Sequence, residues 1–158
     1  MEAKGKYEGD LVEGKKHGKG TYIWPNGNKY IGEWIDNVIN GKGEFIFNTG
    51  AKYNGNWKNN KFDGEGEFNW TNGDRYNGNW KNGKKQGHGI FYYSDGDIYD
   101  GEWNNDMKEG KGKLTYKNGT IYEGNWKEDK REGKGSFINA TLDVEYNEGI
   151  LTKIKVMK

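Results

Sequence analysis

The chain has 158 residues, which suits a single domain, and its 25 Lys and Arg against 24 Asp and Glu leave a formal net charge of +1. This balance excludes a general electrostatic attraction to nucleic acid or to anionic membranes, and the absence of Cys excludes disulfides, thiolate chemistry and cysteine metal sites. Only 31% of the residues are hydrophobic, but 7 Trp, 11 Tyr and 6 Phe lie at regular spacing, which excludes a disordered chain.

A Tyr-x-Gly-x-Trp pattern returns every 23 residues and organises the whole chain. A Gly-x-Gly follows each copy, and a further Gly closes every copy except the sixth. In chain order the predicted elements are six repeats and a C-terminal cap, at 7–29, 30–52, 53–75, 76–98, 99–121, 122–144 and 145–158. The first repeat has Leu11 in the Trp position, and the sixth has Leu142 in place of the closing Gly. A fixed period of this length predicts one supersecondary unit stacked repeatedly in a single array.

Each repeat is predicted to be a β-hairpin. Residues 76–80 alternate apolar or small residues with polar ones, as does the stretch that begins at each Gly-x-Gly, and this period of two is typical of half-buried strands. Asn26-Gly27 favours a type I′ turn between repeats, whereas the opposite edge is expected to carry loops of about five residues, such as 82–86. The fold class is therefore predicted to be all-β, an elongated, twisted antiparallel meander of stacked hairpins.

One face of this meander is predicted to collect the aromatic side chains. The structural ring stack comprises the Tyr and Trp residues of the first strands, namely Tyr30, Trp34, Tyr53, Trp57, Tyr76, Trp80, Tyr99, Trp103, Tyr122 and Trp126. We expect these rings to form the core, because an array so poor in aliphatic residues has little else to bury. The alternative is an aromatic groove for a ligand.

The last segment is predicted to cap the array. Residues 142–146 alternate in polarity, residues 147–149 favour a turn, and residues 150–156 have the composition of a final strand. Lys153, Lys155 and Lys158 of that segment would discourage association through a free sheet edge, since charged side chains block the pairing of edge strands.

The 23-residue unit, with its Tyr-x-Gly-x-Trp, spaced Gly-x-Gly and Asn/Asp-Gly turn, resembles the MORN repeat (membrane occupation and recognition nexus). The resemblance covers nearly all of the chain, and its departures, Leu11 and Leu142, lie in the terminal repeats, where capping makes sequences atypical. It implies a twisted ribbon of hairpins used as a scaffold or interaction module. Similar proteins occur in ciliary radial spokes, membrane junctions and apicomplexan cytoskeleton, and as segments beside kinase or methyltransferase domains.

Catalytic residues, metal ligands and cofactors are not expected in this chain. Its two Ser, Ser94 and Ser136, and its two His, His17 and His88, fall at unrelated positions of their repeats. A nucleophile with its base, or a His metal site, would require such residues to come together by accident. The Gly-x-Gly pairs also lack the additional Gly or the Lys-Ser/Thr of phosphate-binding loops.

A candidate partner surface lies in the first repeats, on the face predicted to be wet and in the adjoining loops. There the chain carries apolar residues where the third and fourth repeats mostly carry Asn and Lys. The candidate residues are Val12, Ile23, Ile31, Ile35, Val38, Ile39, Ile46 and Phe62. This cluster predicts a protein partner, either a helix or a second copy of the chain, although isolated surface apolar residues are also normal.

The sequence therefore predicts a non-enzymatic scaffold or protein–protein interaction module, intracellular and soluble, in the cytoplasm or in a cytoskeletal or ciliary assembly. One alternative is a peripheral protein that binds anionic phospholipid through basic loop residues along one edge. These are Lys15, Lys16, Lys61, Lys84, Lys85, Lys108, Lys130 and Arg131, with acidic residues between them. Another alternative is a targeting module of a larger enzyme. Nucleic acid is not an expected partner, because the charge is balanced.

Overall fold

A computed structural model describes residues 4–138 and 142–156, and within these ranges the regular secondary structure is entirely β-strand. The strands are β1 (Lys6–Val12), β2 (Lys15–Ile23), β3 (Lys29–Ile35), β4 (Val38–Ile46), β5 (Lys52–Lys58), β6 (Lys61–Asn69), β7 (Arg75–Lys81), β8 (Lys84–Tyr92), β9 (Ile98–Asn104), β10 (Met107–Thr115), β11 (Ile121–Lys127), β12 (Lys130–Phe137), β13 (Leu142–Asn147) and β14 (Ile150–Val156). They pair in sequence order in an antiparallel sheet. The predicted all-β hairpin meander is confirmed.

The chain divides into two compact units. The first unit comprises the residues up to Gly73 together with Asn79–Gly83, and the second comprises Asp74–Gly78 together with the residues from Lys84 onward. In each unit, consecutive strands pair with their neighbours by the same register, in which the Gly of a first strand lies opposite the second Gly of the following Gly-x-Gly. Gly32 lies opposite Gly43 in the first unit, and Gly124 lies opposite Gly135 in the second.

The turns within the hairpins have two residues, and the prediction of five-residue loops was wrong. Asp36 and Asn37 connect β3 to β4 with φ values of 47° and 69°, and Asn82 and Gly83 occupy the equivalent turn with φ values of 50° and 83°. Two successive residues with positive φ define the type I′ turn that matches the twist of paired strands. Asn, Asp and Gly tolerate this left-handed conformation, so the second strand of each hairpin begins immediately after the turn.

The turns between repeats were also assigned incorrectly. At Asn26-Gly27 only the Gly has a positive φ, of 88°. The Gly27 N–H donates to the Trp24 carbonyl at 2.9 Å, and the Trp24 N–H donates to the Asn28 carbonyl at 2.9 Å. This is the three-residue hairpin loop that combines a type I turn with a left-handed Gly. The type I′ geometry therefore belongs to the opposite edge of the sheet.

The first Gly of each Gly-x-Gly lies inside a strand and not at its start. In β4, Gly41 has a φ of 94°, and the pairing with β3 shifts register between Gly32 and Trp34. A Gly with positive φ at such a shift is the signature of a β-bulge, which sharpens the local bend of the strand. The three residues Val38–Asn40, which precede the bulge, thus belong to β4.

The Tyr and Trp rings of the first strands are buried on one side of the sheet, here called the aromatic face. All ten residues of the ring stack are at most 6% exposed. Tyr30 lies edge-on between Trp34 of its own repeat and Trp57 of the next, with ring centroids 5.2 and 5.3 Å away. Tyr99 lies in the same way between Trp103 and Trp126 in the second unit. Edge-to-face packing of this kind adds favourable quadrupole interactions to the burial of apolar area.

Glycines form the floor beneath each buried Tyr. A Cβ built on Gly43 would lie 2.3 Å from the Tyr30 Oη, so a larger residue would collide with the ring. The Tyr30 hydroxyl donates to the Glu33 carbonyl at 3.0 Å, which satisfies the polar end of the buried side chain. The cross-strand pair of Gly residues therefore leaves the space in which a Tyr ring lies flat over the backbone.

The sixth repeat ends differently, because no Trp from a following repeat packs against Tyr122. Tyr146 of β13 takes that position, with its ring centroid 5.9 Å from that of Tyr122, and the Arg131 Nη1 donates to the Tyr146 hydroxyl at 3.0 Å. Val144 is 5% exposed and Tyr146 is 8% exposed. The side chain of Leu142, which was predicted to contribute here, lies outside the described part of the chain.

Candidate partner-binding surfaces

The side of the sheet opposite the rings, here called the second face, carries most of the predicted partner surface. Val12, Ile23, Ile31 and Ile35 are 50%, 41%, 39% and 47% exposed in the first unit. Val38 lies directly opposite Ile35 and is half-buried, as is Ile46 in the same strand. Directly opposed residues of an antiparallel pair share a face, so these six side chains lie on one side of the first unit. The six residues on the second face of the first unit are Val12, Ile23, Ile31, Ile35, Val38 and Ile46.

Two predicted members of that surface lie on the aromatic face instead. Ile39 is opposite Trp34 and is only 4% exposed. Phe62 is opposite Trp57, and its ring stacks on Tyr53 with a centroid distance of 3.7 Å. Both residues were assigned to loops, but the two-residue turns place them in strands, where their positions direct them toward the rings.

The exposed aliphatic residues do not form one continuous apolar area. Ile31 lies opposite Thr21 on one side and Glu44 on the other. Ile23 is flanked in the same way by Lys6 and Lys29. The second face of the first unit is thus a set of separate apolar side chains between polar neighbours.

A groove of about 630 Å³ surrounds Ile31 on this face. The glycines of β2, β3 and β4 leave its floor open, and Lys19, Glu33, Lys42 and Glu44 contribute charged groups to its lining. An apolar side chain therefore lies at the centre of this groove, with charged groups around it.

The second face of the second unit has a larger groove, of about 950 Å³, with a different lining. Its side chains alternate in charge across the strands, so that Lys113 lies opposite both Asp100 and Glu123. The Lys113 Nζ is 3.7 Å from a Glu123 carboxylate oxygen, and the His88 Nε2 is 2.8 Å from an Asp100 carboxylate oxygen. The charges of this lining therefore neutralise one another locally, and each cross-strand pair contributes a modest stabilisation.

The tenth position of each repeat lies on the aromatic face, among the rings. Its occupants in chain order are Lys16, Ile39, Phe62, Lys85, Lys108 and Arg131. In the second unit the Lys85 Nζ lies 4.1 Å from the Trp103 ring centroid, and the Lys108 Nζ lies 5.0 Å from that of Trp126. The Arg131 guanidinium lies 4.6 Å from the Tyr122 ring centroid and also donates to the Tyr116 hydroxyl. These distances are those of cation–π contacts.

The sequence had placed these cations among edge loops, so their position on the aromatic face was missed. These cations occupy the same position of the 23-residue repeat as Ile39, which is buried on the aromatic face. That shared position is the signal in the sequence that identifies them. Lys15, Lys61, Lys84 and Lys130, which were grouped with them, are exposed.

Burial among the rings lowers the pKa of Lys85 and of Lys108, because an ammonium loses hydration there. Asp106 and Asp129 oppose this effect at Lys85, and Asp129 opposes it at Lys108, because each carboxylate favours the charged ammonium. Each of these carboxylates also accepts a backbone N–H, from Lys85 at 2.8 Å and from Lys108 at 2.9 Å. The aspartates thereby fix the turns and provide a counter-charge near each ammonium.

The family model of the MORN repeat matches residues 7–29, 30–52, 53–75, 76–98, 99–121 and 122–143. The chain belongs to the MORN repeat family. This confirms the six repeats expected from the 23-residue period, and the hairpin with its two-residue turn is the structural form of each MORN repeat in this chain. No curated protein sequence is significantly similar to the chain.

The solved structures that are similar to this MORN array include two TCP domains. The first is the TCP domain of SAS-4 (dCPAP) from Drosophila melanogaster, in complex with a proline-rich motif of Ana2 (dSTIL). It is 13% identical, with 89% of this chain and 72% of that chain covered and a TM-score of 0.49. The second is the wild-type TCP10 domain of Danio rerio CPAP in complex with a peptide of Danio rerio STIL. It is 12% identical, with 88% and 68% covered and a TM-score of 0.38.

The described part of the MORN array contains no group of three or more His, Cys, Asp or Glu side chains arranged to hold a metal ion. Its two histidines lie in different strands, with the His17 Nδ1 3.6 Å from an Asp36 carboxylate oxygen and His88 paired with Asp100. Over the same residues, no helix is long and apolar enough to cross a membrane.

Proposed function

We propose that this MORN array is a non-enzymatic interaction scaffold that holds a protein partner on the second face of its first unit. The observation that carries the proposal is the groove around Ile31, where a side chain 39% exposed to solvent is surrounded by Lys19, Glu33, Lys42 and Glu44. Binding energy in protein interfaces comes mainly from a few apolar anchors, while surrounding charges contribute orientation.

The proposed partner is a helix of another protein or a second copy of this chain. Ile31 and Ile35 are four residues apart in β3, so they offer anchors about 13 Å apart along the strand. A partner helix can match this distance with apolar side chains about two turns apart. The proposed setting is an intracellular assembly of cytoskeletal or ciliary type, as the family resemblance implies.

The test uses the double variant Ile31→Lys with Ile35→Lys and capture of partners from the native source, identified by mass spectrometry. We expect the variant to fold like the parent, because both side chains point away from the rings, and to lose the parent's partner. The matched control is Ile150→Lys with Ile154→Lys, which adds the same charge at side chains 69% and 56% exposed in β14. Equal capture by both double variants and the parent would refute the proposed surface.

Binding to anionic phospholipid is the second candidate, and a specific observation favours it. Lys84, Lys127 and Lys130 belong to the second unit, and each is exposed next to a two-residue turn, where a membrane surface would meet it. Co-sedimentation with vesicles that contain phosphatidylserine tests this function. Salt-sensitive sedimentation that is lost when these lysines become Glu, together with unchanged partner capture by the Ile31 and Ile35 variant, would favour the lipid function over the scaffold.

A further inference from the structure

The tenth position of the MORN repeat holds a cation in the first, fourth, fifth and sixth repeats and an apolar residue in the second and third. In the first repeat the Lys16 Nζ lies 4.6 Å from the Tyr22 ring centroid. In the first unit the tenth position also includes Ile39, which is 4% exposed, and Phe62, which stacks on Tyr53. In the second unit the same position holds Lys85 and Lys108 with their ammonium groups over the rings of Trp103 and Trp126.

Packing alone does not require a cation at this position. Ile39 occupies the tenth position of the second repeat, lies opposite Trp34 and is buried. An aliphatic side chain therefore satisfies the packing at this position. Lys85 and Lys108, by contrast, are half-buried and lose part of their hydration. Cation–π contacts recover some of the free energy lost, but they provide no hydrogen-bond acceptor for the ammonium protons.

The two ammonium groups keep their hydrogen-bonding capacity available. Among the described residues, none accepts a hydrogen bond from either Nζ, and none forms an ion pair with either one within 4.0 Å. Aspartates nearby still favour the charged ammonium groups without an ion pair within 4.0 Å: Asp106, Asp129 and Asp74 act on Lys85, and Asp129 and Asp97 act on Lys108. Arg131 differs, because its guanidinium already donates to the hydroxyl groups of Tyr116 and Tyr146.

Half-buried aromatic side chains lie on the same face of the second unit. Tyr93 directly follows β8, Tyr116 directly follows β10, and both side chains are half-buried. The Lys108 Nζ lies 5.3 Å from the Tyr93 ring centroid. Amphipathic rings are enriched in surfaces that bind protein segments because they bury apolar area, and a cation beside them can orient a ligand of opposite charge.

We propose that the aromatic face of the second unit binds an acidic helical segment of a partner protein, whose carboxylates accept hydrogen bonds from Lys85 and Lys108. Apolar side chains of that segment would lie against Tyr93 and Tyr116. The inference rests on the proposed scaffold function and adds a second surface and a partner chemistry to it.

The spacing of the two cations sets the spacing of the carboxylates. Lys85 and Lys108 are one repeat apart, which is two strand spacings or about 10 Å. Seven residues of an α-helix rise about 10 Å and return nearly to the same side of the helix. Acidic residues seven apart on one side of a helix therefore match the two ammonium groups.

The experiment measures binding of the full chain to two labelled synthetic helical peptides by fluorescence anisotropy. One peptide has Glu at one position of each of about three heptads, flanked by Leu, and the other has Gln in place of each Glu. We expect the Glu peptide to bind at least about tenfold more tightly than the Gln peptide, with an affinity that falls as salt increases.

The chain itself supplies the matched variant, Lys85→Ile with Lys108→Ile, which copies the residue at the tenth position of the second repeat. We expect it to melt at the same temperature as the parent or higher, and to bind the Glu peptide at least about tenfold more weakly. Lys84→Ile with Lys130→Ile removes two exposed lysines outside the aromatic face and should retain most of the affinity. If the first variant does not fold, Lys85→Gln with Lys108→Gln tests the same loss of charge.

Equal affinity for the two peptides, or undiminished binding by the folded tenth-position variant, would overturn the inference. So would a result in which neither peptide binds and the lysines are needed only for vesicles that contain phosphatidylserine, since that assigns the cations to a membrane. Failure here is distinguishable from failure of the proposed function. Loss of the native partner in the Ile31 and Ile35 variant would still support the scaffold even if the Glu peptide never binds.

Discussion

The indole Nε1 of Trp103 donates a hydrogen bond to the carbonyl oxygen of Gly89, 3.0 Å away and 14 residues earlier in the chain. The same bond recurs from Trp57 to Gly43 at 3.0 Å and from Trp126 to Gly112 at 3.2 Å. Each such bond joins one repeat to the repeat before it, while the indole ring covers the earlier Tyr. The Trp position thus combines burial of a large ring with a specific polar connection between hairpins.

Replacing Trp103 separates these two contributions. Trp103→Phe keeps a ring but leaves the buried Gly89 carbonyl without its donor, so we expect a loss of about 1–3 kcal/mol in the free energy of unfolding. Trp103→Ala also removes the packed ring, and we expect a loss of about 3–5 kcal/mol. Urea denaturation followed by circular dichroism measures both values. Equal losses for Phe and Ala would show that the ring contributes nothing beyond the hydrogen bond.

The Gly-Gly floor under each Tyr leads to a prediction about Gly43. A Cβ at this position would lie 2.3 Å from the Tyr30 Oη and 2.5 Å from its Cζ, so Gly43→Ala should displace the ring and cost about 1–3 kcal/mol or more. Tyr30→Phe removes the Tyr30 Oη, which is the atom closest to the added Cβ. We therefore expect Gly43→Ala to be less damaging in the Tyr30→Phe background, and a double-mutant cycle of unfolding free energies measures the difference. Simple additivity of the two substitutions would contradict the proposed contact.

The buried tyrosines predict a loss of stability in alkaline solution. Burial raises the pKa of Tyr122 from 10.0 to about 12, and burial likewise raises the pKa of Tyr30 and of Tyr99. A raised pKa means that the folded chain holds the phenolic proton more tightly than the unfolded chain does. The stabilisation is complete below pH 10 and is lost as the pH rises from about 10 through about 12.

The measurement for this prediction is the melting temperature as a function of pH, together with tyrosinate absorbance. We expect the melting temperature to fall above about pH 10, and most tyrosinate to appear only on unfolding. Tyr122→Phe is a suitable comparison, because the Tyr122 hydroxyl has no hydrogen-bond partner among the described atoms. This variant should fold and should show a shallower alkaline decline. A melting temperature independent of pH in this range would argue against burial of the phenols.

The C-terminal strands β13 and β14 are predicted to cap the array. Deleting residues 147–158 removes β14, which pairs with β13, and would leave the edge of β13 free to pair with another chain. We expect the truncated chain to self-associate at concentrations where the full chain does not, as measured by sedimentation velocity. Lys153→Ser with Lys155→Ser in the full chain tests the charged part of the cap alone. If the truncated chain remains monomeric, residues 147–158 do not act as a cap.

Much of the fold could be predicted from the sequence, because its determinants are local and repeated. The 23-residue recurrence of Tyr, Gly and Trp identifies the hairpin, and the period-two alternation around Tyr30 and Trp34 assigns both rings to one face. The same alternation places Ile31 and Ile35 on the opposite face, where they are 39% and 47% exposed. These features depend on neighbours within a strand, so a linear pattern is sufficient to define them.

The geometry of the turns and bulges was decided only by the tertiary structure. Whether Asp36 and Asn37 form a tight two-residue turn or begin a longer loop determines whether the next residues belong to a strand, and only strand residues have a defined face. That choice moved Ile39 into the core and brought Lys85 and Lys108 over the rings. Cross-strand register likewise decided that Ile31 lies between Thr21 and Glu44, because such contacts join residues distant in the chain and leave no pattern within a single strand.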